Sequence, residues 1–106
     1  MKPIANLLDL PAGKSGAETI ATLIEHPAFT LEHIVSCGAS SPDGFWYDQD
    51  RAEWVLLLQG QAELRFESGE SVHLTAGDPF FIPAHRRHRV ERTSIDAVWL
   101  ALHYQV

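Results

Sequence analysis

The sequence has one cysteine, Cys37, in 106 residues. A single thiol excludes a disulfide framework and any cysteine-rich zinc finger. Basic residues are scarce: eight Lys and Arg stand against fourteen Asp and Glu, for a formal charge of −6. So acidic a chain disfavours nucleic acid or an anionic membrane as its main partner. Apolar runs are short, and none approaches the roughly 20 residues that a membrane span needs. The opening residues 1–13 hold too little apolar sequence for a signal peptide, so the expected compartment is the cytoplasm. The common catalytic and nucleotide signatures are missing as well: no GxGxxG, phosphate loop, HExxH or GxSxG. Cys37 precedes a glycine but has no base beside it, and an idle thiol is a simpler reading than a nucleophile.

What is present is an ordinary globular balance, 45% hydrophobic and 21% charged. The length suits one domain with a real core, since domains typically run to about 100–150 residues. Ile4, Leu7, Leu8 and Leu10 suggest a short N-terminal arm, followed by a loop over Pro11–Gly16. Glu18–Glu25 is ambiguous: Ile20, Leu23 and Ile24 fit a helical face, but Thr19, Ile20, Thr22 and Ile24 are β-branched. From Thr30 onward the pattern is β. Strands are expected over 30–36, 45–47, 53–58, 61–67, 72–74, 80–82, 88–92 and 97–104, with turns at Gln59-Gly60, Ser68-Gly69 and Ala76–Asp78. Many short strands punctuated by Gly and Pro indicate an all-β sandwich or barrel.

Two segments carry the candidate chemistry: Tyr47-Asp48-Gln49-Asp50-Arg51-Ala52-Glu53, running into the strand that ends at Gly60, and Gly77 to His88. Here the chain resembles the cupin superfamily. Glu53 lies at the family's distance before Gly60, Gly77 at its distance before Pro83, and His88 falls on the second-motif histidine. The resemblance spans roughly Leu31 to Tyr104. It implies a single-domain jelly-roll β-barrel over 31–106. Residues 1–30 would be an arm plus a first strand or short helix packed on that barrel. It also implies a homodimer and one metal ion inside the barrel. Glu53 and His88 match the usual ligands. The family's paired H-x-H is replaced by Tyr47-Asp48-Gln49, the P-x-G glycine by His85, and the closing asparagine by Arg92.

The residues also speak for themselves. On a strand, i and i+2 share a face, so Tyr47 and Gln49 point the same way, as do Glu53 with Val55 and His88 with Val90. A carboxylate heading an apolar face needs a metal, a histidinium or a tyrosine hydroxyl as partner. One imidazole, one carboxylate and one amide oxygen suit a divalent transition metal (Zn, Fe, Mn or Ni) and disfavour Cu⁺. The expected metal set is Glu53 and His88, with Gln49 as a third candidate that could equally be a polar lining residue, and His85 as a second imidazole if its turn aims inward. The bland alternative is a Glu53–His88 hydrogen-bonded ion pair filling a degenerate barrel. Tyr47 reads as a wall donor, and Tyr47 or Glu53 would move a proton in an enzyme. His85 reads as a rim residue, and His103 as either a pocket or a packing histidine. Arg86 or Arg92 could hold an anionic substrate at the mouth, or the basic run could be a solvated face with Arg87 and Arg89 exposed. Trp54, opposite in parity to Glu53, belongs on the outer face, where it needs cover from the N-terminal segment or a second subunit. Three functions remain open on the sequence: a metal-dependent enzyme on a small oxygen-bearing metabolite, a non-catalytic small-ligand module, and a structural barrel with a vestigial site.

Overall fold

The computed structural model describes residues 6–9 and 15–105. Ile4 and Leu10 of the expected arm, and residues 11–14 of the expected loop, lie outside them. Among the described residues all eight elements are strands: β1 Thr19–His26, β2 Phe29–Val35, β3 Ala52–Gln59, β4 Gln61–Phe66, β5 Ser71–Thr75, β6 Pro79–Ile82, β7 His88–Thr93 and β8 Val98–Tyr104. They form two antiparallel sheets, β1-β2-β8-β3-β6 and β5-β4-β7. The inner faces enclose one core, in which Leu57 and Phe66 are almost fully buried. Burial of side chains of this size contributes about 1.5–3 kcal/mol each.

The ambiguous segment is a strand, and pairing decides it. β1 adds to the edge of β2 from Thr19↔Val35 to His26↔Phe29, with a register shift between Thr22 and Ile24. That shift breaks the alternation, so neither helical nor strand periodicity is clean in the sequence. The aromatic run at 45–47 forms no strand; only Tyr47 pairs, in an isolated bridge with His88.

The chain crosses between sheets at Gly60, which joins β3 to β4 in the left-handed region at φ 84°. A β-carbon there would stand 2.8 Å from Asp96 Oδ1 and 2.9 Å from the Ala97 Cα. Only glycine fits both the angle and the space.

Strand parity sorts the five-stranded sheet into two unlike faces. Inward, the rung Thr30–His103–Glu53–Ile82 sits above Glu32–Ala101–Val55–Phe80, and below these lie Ile34, Trp99 and Leu57. Polar groups thus gather at one end of the barrel and apolar ones at the other. Outward, Ile24, Leu31, Leu102, Trp54 and Phe81 form one apolar row across all five strands. Trp54 faces out, as its parity requires. The segment Asn6–Asp9 reaches this face at one point, where buried His33 Nε2–H donates to the Leu7 carbonyl at 2.7 Å.

Candidate functional site

The polar end of the barrel holds a chamber of about 120 Å³ whose walls include Tyr47, Gln49, Glu53, His88 and His103. Ala101, on the rung between Glu32 and Val55, has too small a side chain to fill it. The chamber opens into an outer vestibule of about 700 Å³, and Glu32, Gln49 and His103 line both spaces.

Tyr47 and His88 are tied by reciprocal backbone bonds, Tyr47 N–H to His88 O at 2.7 Å and His88 N–H to Tyr47 O at 3.1 Å. Their rings stack with centroids 5.4 Å apart. Two residues on, Gln49 O accepts from His85 N–H at 2.8 Å. The 47–49 segment is therefore held like a short strand against 85–88. That presents Tyr47 and Gln49 together to the chamber, as their i, i+2 spacing requires.

His88 is buried, and its Nδ1–H donates to the Arg86 carbonyl at 2.8 Å. That bond leaves the Nε2 of the neutral imidazole as a lone pair, the arrangement that metal-ligating histidines use. Nε2 lies 3.7 Å from Glu53 Oε1. That is too long for a hydrogen bond. The other Glu53 oxygen lies 3.8 Å from His103 Nε2, which donates instead to Glu32 Oε1 at 3.0 Å. Gln49 Oε1 is buried and meets no donor among the described residues. Burial, then the negative charges of Glu18 and Glu53, push the Tyr47 phenol above its usual range and keep it protonated. At the wall, Trp99 Nε1–H donates to Ser36 Oγ at 3.0 Å, and Ser36 Oγ–H to Glu18 Oε2 at 3.3 Å. Glu18 is exposed as a residue, but its carboxyl end turns to the chamber. Partial burial raises its pKa, against the lowering effect of the Ser36 bond.

Gln49, Glu53, His88 and Tyr47 thus meet in one chamber, and His103 joins them. Its in-facing position follows from its direct pairing with Glu53 across β3 and β8. His85 stands outside, in the loop after β6, with φ 65° and Nδ1 2.8 Å from Asp48 Oδ1. Arg92 is also elsewhere. A register shift between Glu63 and Leu64 leaves Glu91 without a partner on β4, so Arg92 flips to the outer face beside Glu63, at 2.6 Å. Arg86 is engaged by Glu70 at 2.8 Å and lies over the Phe66 ring. Arg87 is exposed and pairs with Glu67, but Arg89 is largely covered, bonding Glu91 and the carbonyls of Ser41 and Pro42. Sequence reasoning missed Glu18, Glu32 and Arg51; Glu18 lies just ahead of β1, whose periodicity is broken.

Among the described residues, no three His, Cys, Asp or Glu side chains form a group that could hold a metal ion. His103 is engaged elsewhere, its Nε2–H directed at Glu32. An ion here would need the amide oxygen of Gln49. The donor types, one imidazole nitrogen, one carboxylate and one amide oxygen, suit a divalent transition metal, and the one measured span is compatible with it. Two ligands about 2.1 Å from a single ion stand at most roughly 4.2 Å apart, and His88 Nε2 and Glu53 Oε1 are within that span.

The family model described as "Cupin domain" matches residues 34–103. No curated protein sequence matches the chain. Among solved structures, a protein of Ralstonia eutropha JMP134 named "putative mannose-6-phosphate isomerase" is 37% identical. The match covers 99% of this chain and 100% of that one, with a TM-score of 0.89. A cupin superfamily protein of Desulfitobacterium hafniense DCB-2 is similar in fold at 18% identity, with coverage of 94% and 88% and a TM-score of 0.76. The Schizosaccharomyces pombe Cnp3 cupin domain is similar at 17%, with coverage of 95% and 68% and a TM-score of 0.74. With the two sheets, the polar barrel mouth and the matched motif positions Glu53, Gly60, Gly77 and His88 in place, the chain belongs to the cupin family.

Proposed function

We propose that this cupin binds a divalent transition metal through His88 Nε2, Glu53 and Gln49 Oε1, and uses it to take up a small oxygen-bearing molecule in the barrel. The observation that carries this is a set of acceptor atoms facing one chamber with no hydrogen bond among the described residues to satisfy them. His88 Nε2 and Glu53 Oε1 stand 3.7 Å apart without a hydrogen bond, and Gln49 Oε1 is buried without one. A cation satisfies all three at once, whereas a simple ion pair leaves the amide unmet. When bound, such an ion polarises a carbonyl or hydroxyl oxygen. The chain supplies the rest. Protonated Tyr47 offers its hydroxyl to a bound molecule, His103 holds Glu32, and the floor of Val55, Ile82 and Trp99 is apolar. The name of the Ralstonia protein makes mannose 6-phosphate the first substrate to try.

Elemental analysis of tag-free protein purified without chelator, beside His88→Ala, tests the reading. Near-stoichiometric metal in the wild type and none in the variant is the expected result. No uptake by either after incubation with Fe²⁺, Mn²⁺, Ni²⁺ and Zn²⁺ would sink it. The lack of a three-member His, Cys, Asp or Glu group among the described residues favours a second reading, a metal-free ligand-binding barrel. Its mark would be a melting temperature untouched by chelation but raised by a ligand that is not turned over.

A further inference from the structure

Arg51 is the sole arginine among the described residues with no carboxylate within 4 Å; Arg65, Arg86, Arg87, Arg89 and Arg92 each pair with a glutamate. It is half-buried on the wall of the vestibule, in the bend just ahead of β3 and two residues before Glu53. Neutral oxygens hold it in place: Nη1 donates to Thr30 Oγ1 at 3.1 Å, and Nη2 to the Pro27 carbonyl at 2.8 Å. A guanidinium has five N–H donors. The other three, including Nε–H, meet no acceptor among the described residues.

The vestibule's acids do not neutralise it. Glu32 is taken up by His103 at 3.0 Å, and Asp50, itself almost fully exposed, lies 3.8 Å from His85 Nε2. Each of these carboxylates thus has an imidazole near it, and among the described residues the guanidinium has no anion. A half-buried charge held in position by neutral groups is a recognition device, because a planar fork pairs with two oxygens of a carboxylate or phosphate at once. The vestibule that Arg51 lines adjoins the chamber, the two sharing Glu32, Gln49 and His103. The chamber alone is smaller than the roughly 300–1,000 Å³ of drug-sized sites, and only with the vestibule does the space reach that range.

We infer that Arg51 is the anion anchor of the site. The ligand is a small hydroxylated molecule bearing one carboxylate or phosphate group. Its anionic end lies in the vestibule on Arg51, and its hydroxylated end reaches past Gln49 and His103 to Glu53 and His88. This rests on the reading of the chamber as a ligand site, but not on the metal. It relocates an anion site expected at Arg86 or Arg92, both of which are paired away from the chamber.

The test is a titration followed through backbone amide signals in ¹H–¹⁵N spectra of the wild type and Arg51→Gln, with the Arg51 side-chain Nε–Hε signal, assigned by its loss in Arg51→Lys, as a further probe in the wild type. Mannose, mannuronate and mannose 6-phosphate share a ring and differ in charge, and all three are added at matched ionic strength. The expected result is a saturable shift with at least one anion. Its affinity should be about ten-fold above that of mannose, and Arg51→Gln should erase the difference. The anion that binds more tightly identifies carboxylate or phosphate as the natural group. Three probes of equal strength in the wild type, no saturable shift with either anion, or a preference that survives in Arg51→Gln would each overturn the inference. Metal content of the same samples is measured separately, so failure of the anchor and failure of the metal site are told apart.

Discussion

Replacing Gln49 with methionine should push stability in opposite directions with and without metal. The two side chains are close in length and volume, so the exchange removes the amide with little steric cost. In the metal-free protein Gln49 Oε1 is a buried acceptor that no donor of the described residues reaches. Such a group costs about 1–3 kcal/mol. Taking the low end, because Gln49 as a residue is only half-buried, Gln49→Met should stabilise the metal-free protein by about 1 kcal/mol. For a domain of this size that is a rise of roughly 4–8 °C in melting temperature. With metal the order reverses. An ion at a hundred times its dissociation constant adds about 2.7 kcal/mol to the protein that binds it, and the variant loses a ligand. Thermal melts of both proteins after chelation, and again with saturating metal, give four temperatures whose order should cross. A metal-free variant less stable than the metal-free wild type would refute the reasoning, since Oε1 would then already have a partner.

Gly60→Ala should cost more than the roughly 1–2 kcal/mol of a left-handed backbone alone, because the new methyl meets Asp96 and the Ala97 backbone; chemical denaturation reads it. His85→Gly relieves a left-handed histidine at φ 65° but gives up an exposed Asp48 contact, so stability should stay within about 1 kcal/mol. Metal content should not change, and a loss would place His85 in the site. The Glu18 carboxyl has its pKa raised above the usual 4.5, first by burial. The folded state therefore holds that proton more tightly than the unfolded one. The stability it lends is complete below about pH 4.5 and declines as pH rises through the folded pKa. Glu18→Gln should melt higher than the wild type near neutral pH, with the gap closing in acid; a gap independent of pH would contradict the sign.

The strands from β2 to β8 were legible because each alternates or runs apolar between Gly or Pro turns, and tertiary pairing agrees with local pattern there. The site was legible where parity holds without interruption: Glu53 with Val55, His88 with Val90, Tyr47 with Gln49. It failed where a bulge intervenes. Arg92 is two residues beyond Val90, yet the register shift beside Glu91 turns it outward. The shift at Thr22 and Ile24 likewise hid β1. His85 occupies the family's glycine position and keeps a glycine-like backbone angle, so that departure from the motif concerns conformation rather than chemistry. Arg51 left no trace in the sequence, because what singles it out is the absence of a partner in space.

The two faces of the five-stranded sheet have a consequence for how this chain can change length. In β8, Leu102 belongs to the outer apolar row and His103 to the chamber, one residue apart on a strand paired along both edges. Its reading frame is binary. Removing a single residue between Val98 and Leu102 would shift everything upstream of it by one step and bring Trp99 and Ala101 out while sending their neighbours in. Such a strand accepts substitutions one at a time but tolerates insertions or deletions only in even steps, or beyond its ends. Turns such as Ser68-Gly69, where an added β-carbon on Gly69 meets nothing within 4 Å, are where length can vary freely. Sequences that keep this chemistry should therefore differ in loop length and composition while the spacing from Val98 to His103 stays fixed.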